Sequence, residues 1–237
     1  MRRILKMIRA ILTIDDIASK NTTEIVDFLL EKGITAVMFA WGANIEKHYD
    51  EAIYAVQKGM IVGNHSYSHP AFSAISLDEG IKEIEKCEKV LDRLYLDSGV
   101  IRKYRPFRFP YGDKGGENRD EIQKYLKKNG FHRLNDSLIP YPWWREGRAK
   151  DDIDTFWTYD FEEYRLPWND GFTREGVLQK MDRPDSENFT ALYGENKGHI
   201  LLMHAHDETD KVWPGYYKEM IKCALQNGVV FENPEFL

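Results

Sequence analysis

Residues 63–70, with the sequence GNHSYSHP, place two histidines four positions apart directly after an apolar run. Neutral imidazole is the commonest metal ligand among side chains, so His65 and His69 could together hold a metal ion. The spacing alone leaves a second interpretation open, namely two loop histidines that are hydrogen-bonded to backbone. The small and turn-forming residues around the pair predict a turn rather than a helix, and no glutamate follows His65, which excludes the HExxH pattern of zinc proteases.

A second candidate group is the pair of adjacent acids Asp15 and Asp16, at the end of the apolar stretch AILTIDD. Adjacent carboxylates repel each other, so they need a cation nearby or unlike roles. A helix N-cap is the competing interpretation, because aspartate is favoured there. Two imidazoles and one carboxylate are common protein ligands of a catalytic Zn²⁺, with one position left for water. The second acid is then available as a general base for that water.

Further polar residues follow other apolar runs: Arg108, Asp160 and His204. In parallel α/β folds the carboxyl ends of the strands meet on one face, where active sites form, so these groups are expected to meet. Each has a competing interpretation. Arg108 could form a surface ion pair, the acids near Asp160 could replace it, and His206 competes with His204.

The elements that must position these residues alternate between strand-like and helix-like patterns. Apolar runs predict strands over residues 8–14, 34–40, 60–63, 104–110, 155–160, 199–203 and 228–232, and amphipathic spacing predicts helices over residues 21–33, 45–58, 77–96, 118–129, 173–182 and 215–227. Such alternation predicts a parallel sheet with helical crossovers. We expect an α/β fold as one domain over residues 1–237. About seven parallel strands at this length suit a (β/α) barrel better than an open sheet, and the sequence pattern alone leaves both open. Residues 133–170, rich in Trp, Tyr and Pro, are predicted to form long loops.

Composition narrows the class of protein. The chain has 237 residues, a net charge of -6 and a sequence pI near 5.7, with no clustered basic run. Nucleic-acid binding is therefore not expected. Two cysteines provide no disulfide framework, and no apolar stretch is long enough to span a membrane. Charged residues interrupt the apolar N-terminal segment and no cleavage site follows, so we expect no signal peptide and a cytoplasmic location. The oligomeric state stays open.

Taken together, the motifs resemble those of the polysaccharide deacetylase family, the NodB-homology carbohydrate esterases of family 4. That family carries five ordered motifs, and the resemblance covers nearly the whole chain. It implies the fold of that family, a distorted (β/α) barrel with about seven parallel strands. The counterparts in this chain are TIDD at 13–16, HSYSH at 65–69, RFPYG at 108–112, DFEEY at 160–164 and LMH at 202–204. The fourth motif is usually DxxDW in the family, and here Glu163 and Tyr164 replace its second aspartate and its tryptophan.

The resemblance implies a role for each motif residue. Asp16, His65 and His69 are expected to hold a divalent metal ion, for which Zn²⁺ is the first expectation while Co²⁺, Ni²⁺ or Fe²⁺ suit the same donors. Asp15 is implied as the base for the attacking water. The resemblance also implies that Arg108 orients Asp15 and that the backbone N–H of Tyr111 donates to the oxyanion. His204 is implied as the acid that protonates the leaving amine. Asp160 is expected in the same polar shell, and Leu202 is expected to line the acetyl pocket.

Aromatic residues are the candidate substrate contacts, because sugar rings pack their C–H faces on aromatic planes. The aromatic residues that suggest a binding wall are Tyr141, Trp143, Trp144, Trp157, Tyr164 and Trp168. Trp143 and Trp144, in a Pro-rich loop, are the preferred sugar contacts, together with Tyr111 and Tyr164. Trp157, inside a predicted strand, is assigned to the core.

The function implied is a metal-dependent hydrolase that removes N-acetyl groups from an acetylated amino sugar or oligosaccharide. Two alternatives stay open: an allantoinase-like cyclic amide hydrolase of the same fold, and a catalytically inactive sugar-binding domain. An iron oxygenase is disfavoured, because its ligands usually begin with HxD. The exact saccharide and the preference for N- or O-acetyl groups stay open.

Overall fold

The computed structural model describes residues 7–146, 152–183, 191–193 and 197–237. The N-terminal basic residues and part of the predicted loop region, residues 147–151, lie outside these ranges. The described strands are β1 Ile8–Ile17, β2 Val37–Ala40, β3 Ile61–Asn64, β4 Tyr159–Asp160, β5 Gly198–His204 and β6 Val229–Phe231. The described α-helices are α1 Thr22–Glu31, α2 Gly42–Lys47, α3 Tyr49–Gln57, α4 Leu77–Ser98, α5 Arg119–Lys128, α6 Pro142–Glu146, α7 Arg174–Lys180, α8 Asp207–Val212 and α9 Tyr216–Gln226.

All the strand pairs are parallel, in the order β3-β2-β1-β5-β4, and β6 also pairs with β1. The sheet continues past β3 through a parallel bridge between Asn64 and Phe107. Phe107 then accepts a hydrogen bond from the backbone of Thr155 at 2.7 Å, and Thr158 donates to Ile200 of β5 at 2.9 Å. These irregular links close the ring, so the fold is the expected α/β distorted barrel.

The closure depends on a close approach between β3 and the segment that contains Phe107. A side chain at Gly63 would place a Cβ 2.7 Å from the carbonyl oxygen of Pro106. Because glycine lacks that atom, the backbone N–H of Asn64 can donate to the same carbonyl at 2.9 Å.

Successive residues of β1 face two different cores, as strand alternation requires. Ile11 packs with Phe39 and Leu202 in the barrel interior. Leu12 and Ile14 pack in the larger core, which also contains buried residues of the surrounding helices. By the same alternation Thr13 and Asp15 share the inward face with Ile11, so β1 leads from an apolar interior to polar groups at its carboxyl end.

Several predicted elements differ from those observed. Of the predicted strand 104–110 only Phe107 makes a bridge, and of 155–160 only Tyr159–Asp160 pairs as a strand, because these segments make the irregular closure of the barrel. The described residues therefore contain six strands rather than about seven. The predicted helix 45–58 is two helices, α2 and α3, which meet at His48 with a non-helical backbone. No helix among the described residues has the length and apolar character to cross a membrane.

Candidate active site

Asp15 and Asp16 lie inside β1, not after it, and a register shift changes their directions. Ile14 pairs with Met38 and Ile17 with Ala40, so β1 has one residue more than β2 over this interval. Asp16 has a positive φ of 64° within this bulge. A regular strand would direct neighbouring side chains to opposite faces, whereas a bulge re-aims one of them. Both carboxylates consequently approach His65, whose Nε2 lies 3.5 Å from Oδ2 of Asp15 and 3.8 Å from Oδ1 of Asp16.

The turn predicted for the histidine pair is observed, and side chains within it define its shape. The amide Oδ1 of Asn64 accepts a hydrogen bond from the backbone of Ser66 at 2.8 Å, and Oγ of Ser66 accepts one from the backbone of His69 at 3.1 Å. Nδ1 of His65 lies 2.9 Å from the carbonyl oxygen of Arg108. Because a carbonyl only accepts, Nδ1 carries the proton and the lone pair of Nε2 is directed to the site.

The predicted metal ligands Asp16, His65 and His69 converge. Nε2 of His69 lies 3.2 Å from Oδ1 of Asp16 and 3.3 Å from Nε2 of His65. Tetrahedral donors at Zn–N and Zn–O bond lengths are separated by about 3.3–3.5 Å. Oδ1 of Asp16 is buried without a hydrogen-bond partner among the described residues. Three converging donors with one oxygen left unbonded fit a small divalent cation.

The pKa values of His69 and Asp16 favour the protonation states in which these side chains can bind a metal ion. Burial and the neighbouring His65 lower the pKa of His69 to about 4, which keeps its imidazole neutral. Burial alone would raise the pKa of Asp16, but a hydrogen bond from His206 and the surrounding histidines hold it well below its ordinary value. Neutral imidazole and ionised carboxylate are the protonation states that bind a metal ion.

Asp15 is bonded to Arg108, as the family resemblance implies. One guanidinium nitrogen of Arg108 donates to Oδ1 of Asp15 at 2.7 Å and to Oγ1 of Thr13 at 2.9 Å. The guanidinium is fully buried, with its carbon 4.5 Å from the ring centre of Phe39. Nε of Arg108 also donates to the carbonyl of Thr155 at 3.1 Å, so its direction toward Asp15 is defined by several contacts.

His204, at the carboxyl end of β5, is bonded to a carboxylate that the sequence did not single out. Oε1 of Glu163 lies 3.3 Å from Nδ1 of His204 and also accepts from its backbone N–H. Burial by itself would lower the pKa of His204, but the hydrogen bond and charge of Glu163 outweigh it and raise that pKa to about 10. The protonated imidazole of His204 is therefore favoured at neutral pH. Glu163 was visible only as a substitution in the fourth motif.

Asp160 lies in the same polar shell. It is buried, and it accepts a hydrogen bond from the backbone of Glu162 at 2.9 Å. Burial, reinforced by the charge of Glu163 and opposed by His204, raises the pKa of Asp160 to about 7. Asp160, Glu163 and His204 form a second cluster of closely spaced potential donors beside the first.

His206 does not share a strand face with His204, because β5 ends at His204 and His206 precedes α8. Its Nε2 lies 2.6 Å from Oδ2 of Asp16, the carboxylate oxygen that faces away from His69. His204 and His206, the two candidate proton donors, thus have different partners, Glu163 and Asp16 respectively.

A cavity of about 270 Å³, the site cavity, lies over these groups, and a groove of about 620 Å³, the outer groove, adjoins it. Tyr111, Tyr164, Trp168 and His206 line both. The site cavity is also lined by Asp15, Asp16, His65, His69, Trp157, Asp160, Leu202 and His204.

The predicted substrate contacts divide into two groups. Leu202, Tyr111 and Tyr164 line the site cavity. Trp143 and Trp144 line neither the site cavity nor the outer groove among the described residues. Trp144 is buried in the interior core and donates its Nε1 to Asp136 at 2.6 Å, while Trp143 stacks on Tyr141.

Of the other aromatic residues at these cavities, Trp168 belongs to the predicted binding wall, whereas Trp41 was not singled out from the sequence. Trp41 and Trp168 line the outer groove, and Trp157 borders the site cavity. Trp157 packs in the interior core, as predicted from its place in a strand. Nothing in the local sequence of Trp41 marks it as a groove residue, because the groove is formed by loops that meet only in the folded chain.

Three relatives represent the similarities to known proteins. A stretch of 92 residues is 35% identical to a peptidoglycan-N-acetylglucosamine deacetylase of Bacillus cereus, covering 39% of this chain and 32% of that protein. The chain thus matches about a third of that relative's length. A family 4 carbohydrate esterase of Streptomyces lividans, solved with acetate, superposes with a TM-score of 0.62 at 22% identity over 95% of this chain and 92% of that one. A carbohydrate esterase family 4 pseudoenzyme of Bacillus anthracis superposes with a TM-score of 0.64 at 20% identity over 96% and 64% of the respective chains.

At these identities the two solved structures establish the fold alone. The family model described as polysaccharide deacetylase matches residues 5–134, which is more than half of the chain. This stretch contains three of the five motifs on which the predicted resemblance depended, those with the acid pair, the histidine pair and Arg108. The chain therefore belongs to the polysaccharide deacetylase family.

Proposed function

We propose that this chain is a metal-dependent hydrolase that removes N-acetyl groups from an acetylated amino sugar or oligosaccharide. One observation carries the proposal. Asp15, bonded to the cation Arg108, and His204, bonded to the anion Glu163, line the same small cavity beside the three converging metal donors. Two titratable groups with opposite partners in one cavity are the arrangement expected for a general base and a general acid.

Asp16, His65 and His69 are the residues that would hold the cation. When bound there, a divalent ion supplies Lewis acidity, which polarises an acyl oxygen and acidifies water. Zn²⁺ is the proposed ion because the donor set is two imidazoles and one carboxylate, whose donor atoms lie 3.2–3.8 Å apart.

The chain's own residues account for the proton transfers. Asp15 has Oδ1 bonded to Arg108 and Oδ2 directed toward the site, so Oδ2 can accept a proton from the attacking water. His204 can donate a proton to the departing nitrogen, which would otherwise leave as a strongly basic anion. The products are acetate and a free amine. The backbone N–H of Tyr111, in a turn of positive φ against His69, is the proposed donor to the oxyanion.

The lining of the two cavities supports a saccharide substrate. Leu202 and Trp157 provide an apolar wall of a size suited to an acetyl methyl group, and both border the site cavity. Tyr111 and Trp168 are exposed beside it and can pack against a sugar ring. The name of the Bacillus cereus relative specifies an N-acetylglucosamine unit of peptidoglycan, and we propose an N-acetylated amino sugar of this type for the present chain.

The experiment is acetate release from N-acetylated chitooligosaccharides and peptidoglycan fragments by the purified, metal-loaded chain, with the variant Asp15→Asn beside it. We expect acetate from the wild type and a loss of at least ~100-fold in kcat for Asp15→Asn, the usual contribution of a general base. Metal content should be unchanged in the variant. Ring opening of a cyclic ureide without acetate release would favour the allantoinase-like alternative, and saccharide binding without turnover would favour an inactive sugar-binding domain.

A further inference from the structure

We infer that His206 is a positioning residue for the metal ligand Asp16: it binds one carboxylate oxygen of Asp16 and leaves the other for the cation. Oδ2 of Asp16 lies 2.6 Å from Nε2 of His206, whereas Oδ1 faces Nε2 of His69 at 3.2 Å. An ionised carboxylate can accept hydrogen bonds but cannot donate them, so Nε2 of His206 is the donor. The inference rests on the metal-dependent function proposed above.

The backbone conformation of Asp16 is unusual, and its carboxylate therefore needs a partner that fixes its orientation. Its φ of 64° lies in the left-handed region, which residues other than glycine rarely adopt. Within the bulge, the side chain of Asn44 donates to the carbonyl of Asp16 at 3.3 Å, which holds the backbone but not the carboxylate. The carboxylate is left to be oriented by a partner on its far side, and His206 lies there.

The backbone around His206 is anchored on the same side of the barrel. Ala205 donates to the carbonyl of Asp15 at 3.0 Å, and the carboxylate of Asp207 accepts from the backbone of Lys20 at 3.0 Å. These two tethers flank His206 and join its segment to the residues before and after Asp16. These two hydrogen bonds therefore hold the segment that carries His206 beside Asp16.

His206 and His204 perform different tasks in this arrangement. Their ring centres are 5.3 Å apart, but His204 contacts Glu163 while His206 contacts Asp16. Proton donation to the substrate belongs to His204, and removal of His206 should act on cation binding. Partners that orient a ligating side chain typically contribute 10- to 100-fold to metal affinity.

The test measures Zn²⁺ affinity of the full chain, stripped of metal, by competition with a chromophoric chelator. The variants are His206→Leu, which removes the donor, and His206→Gln, whose amide N–H has a similar reach to Nε2. His48→Leu is the matched control, because His48 lines the same outer groove without contacting a ligand. The absorption spectrum of bound Co²⁺ is recorded for each variant as a readout of ligand geometry.

We expect His206→Leu to bind Zn²⁺ about 10- to 100-fold more weakly than the wild type, and His206→Gln to recover most of the loss with a wild-type Co²⁺ spectrum. His48→Leu should match the wild type. Equal affinity of His206→Leu and wild type would overturn the inference. Failure of His206→Gln to recover affinity, with both chains folded by circular dichroism, would also overturn it. A wild type that binds neither Zn²⁺ nor Co²⁺ would instead overturn the proposed metal-dependent function itself.

Discussion

Glu163, whose side chain is fully buried, holds Oε1 3.3 Å from Nδ1 of His204. The family's usual fourth motif has aspartate at this position, so the longer side chain supplies the carboxylate in this chain. This contact, together with the nearby charge of Asp160, keeps His204 protonated despite its burial, because burial alone favours the neutral imidazole.

Replacement of Glu163 by glutamine should shift the pH profile of deacetylation. The pKa of His204 is raised to about 10 in the folded chain, so the acid form persists up to that pH and is lost above it. Without the carboxylate, burial dominates and the pKa of His204 falls, so activity should decline at a lower pH. The measurement is kcat against pH for Glu163→Gln. Glu162→Gln is the control, because Glu162 pairs with Arg165 and Lys180, and an equal shift in both variants would contradict the assignment.

Arg108 should be sensitive even to a change that keeps its charge. Its guanidinium bonds Asp15, Thr13 and the carbonyl of Thr155 at once, and a lysine ammonium cannot reproduce that planar set of donors. We expect Arg108→Lys to lower kcat by more than 10-fold. Arg108→Met should lower the free energy of unfolding by about 3–5 kcal/mol, because Asp15 is left buried and unpaired. Urea unfolding and steady-state kinetics measure the two effects, and unchanged kcat in Arg108→Lys would exclude a role in orienting Asp15.

Removal of metal should abolish activity reversibly. The converging donors Asp16, His65 and His69 suit several divalent ions, so dialysis against a chelator should eliminate acetate release and added Zn²⁺ or Co²⁺ should restore it. His69→Ala should lower metal content and activity together. Full activity after chelation, with metal content verified by mass spectrometry, would contradict the proposed mechanism.

The aromatic residues offer a direct comparison of two predicted sugar contacts. Trp168 is exposed over the site cavity, whereas Trp143 stacks on Tyr141 elsewhere. An aromatic packing contact contributes about 0.5–1.5 kcal/mol, so Trp168→Ala should raise KM about 2- to 10-fold. Trp143→Ala should leave KM unchanged. A larger effect of Trp143→Ala would favour the contact expected from the Pro-rich loop.

The sequence by itself determined the family and most of the alternation of strands and helices. Hydrophobic periodicity is a local property, so a parallel sheet with helical crossovers could be predicted from it, whereas the distorted barrel was implied by the family resemblance. The motif residues could be named because their types specify chemistry: Asp16, His65 and His69 are metal donors by kind, and Arg108 is a partner for a carboxylate. The structure brings all of them to the carboxyl ends of the strands.

Only the tertiary structure decided how these side chains are aimed and which partners they have. The bulge in β1 directs Asp16 toward His69, and no local pattern marks it, because it depends on the register with β2. Glu163 became the partner of His204, and His206 of Asp16, through loops that are distant in sequence. The same loops placed Trp168 at the cavity and buried Trp144. Residue type indicates what a side chain can do, but its neighbours and its direction are set by contacts across the folded barrel.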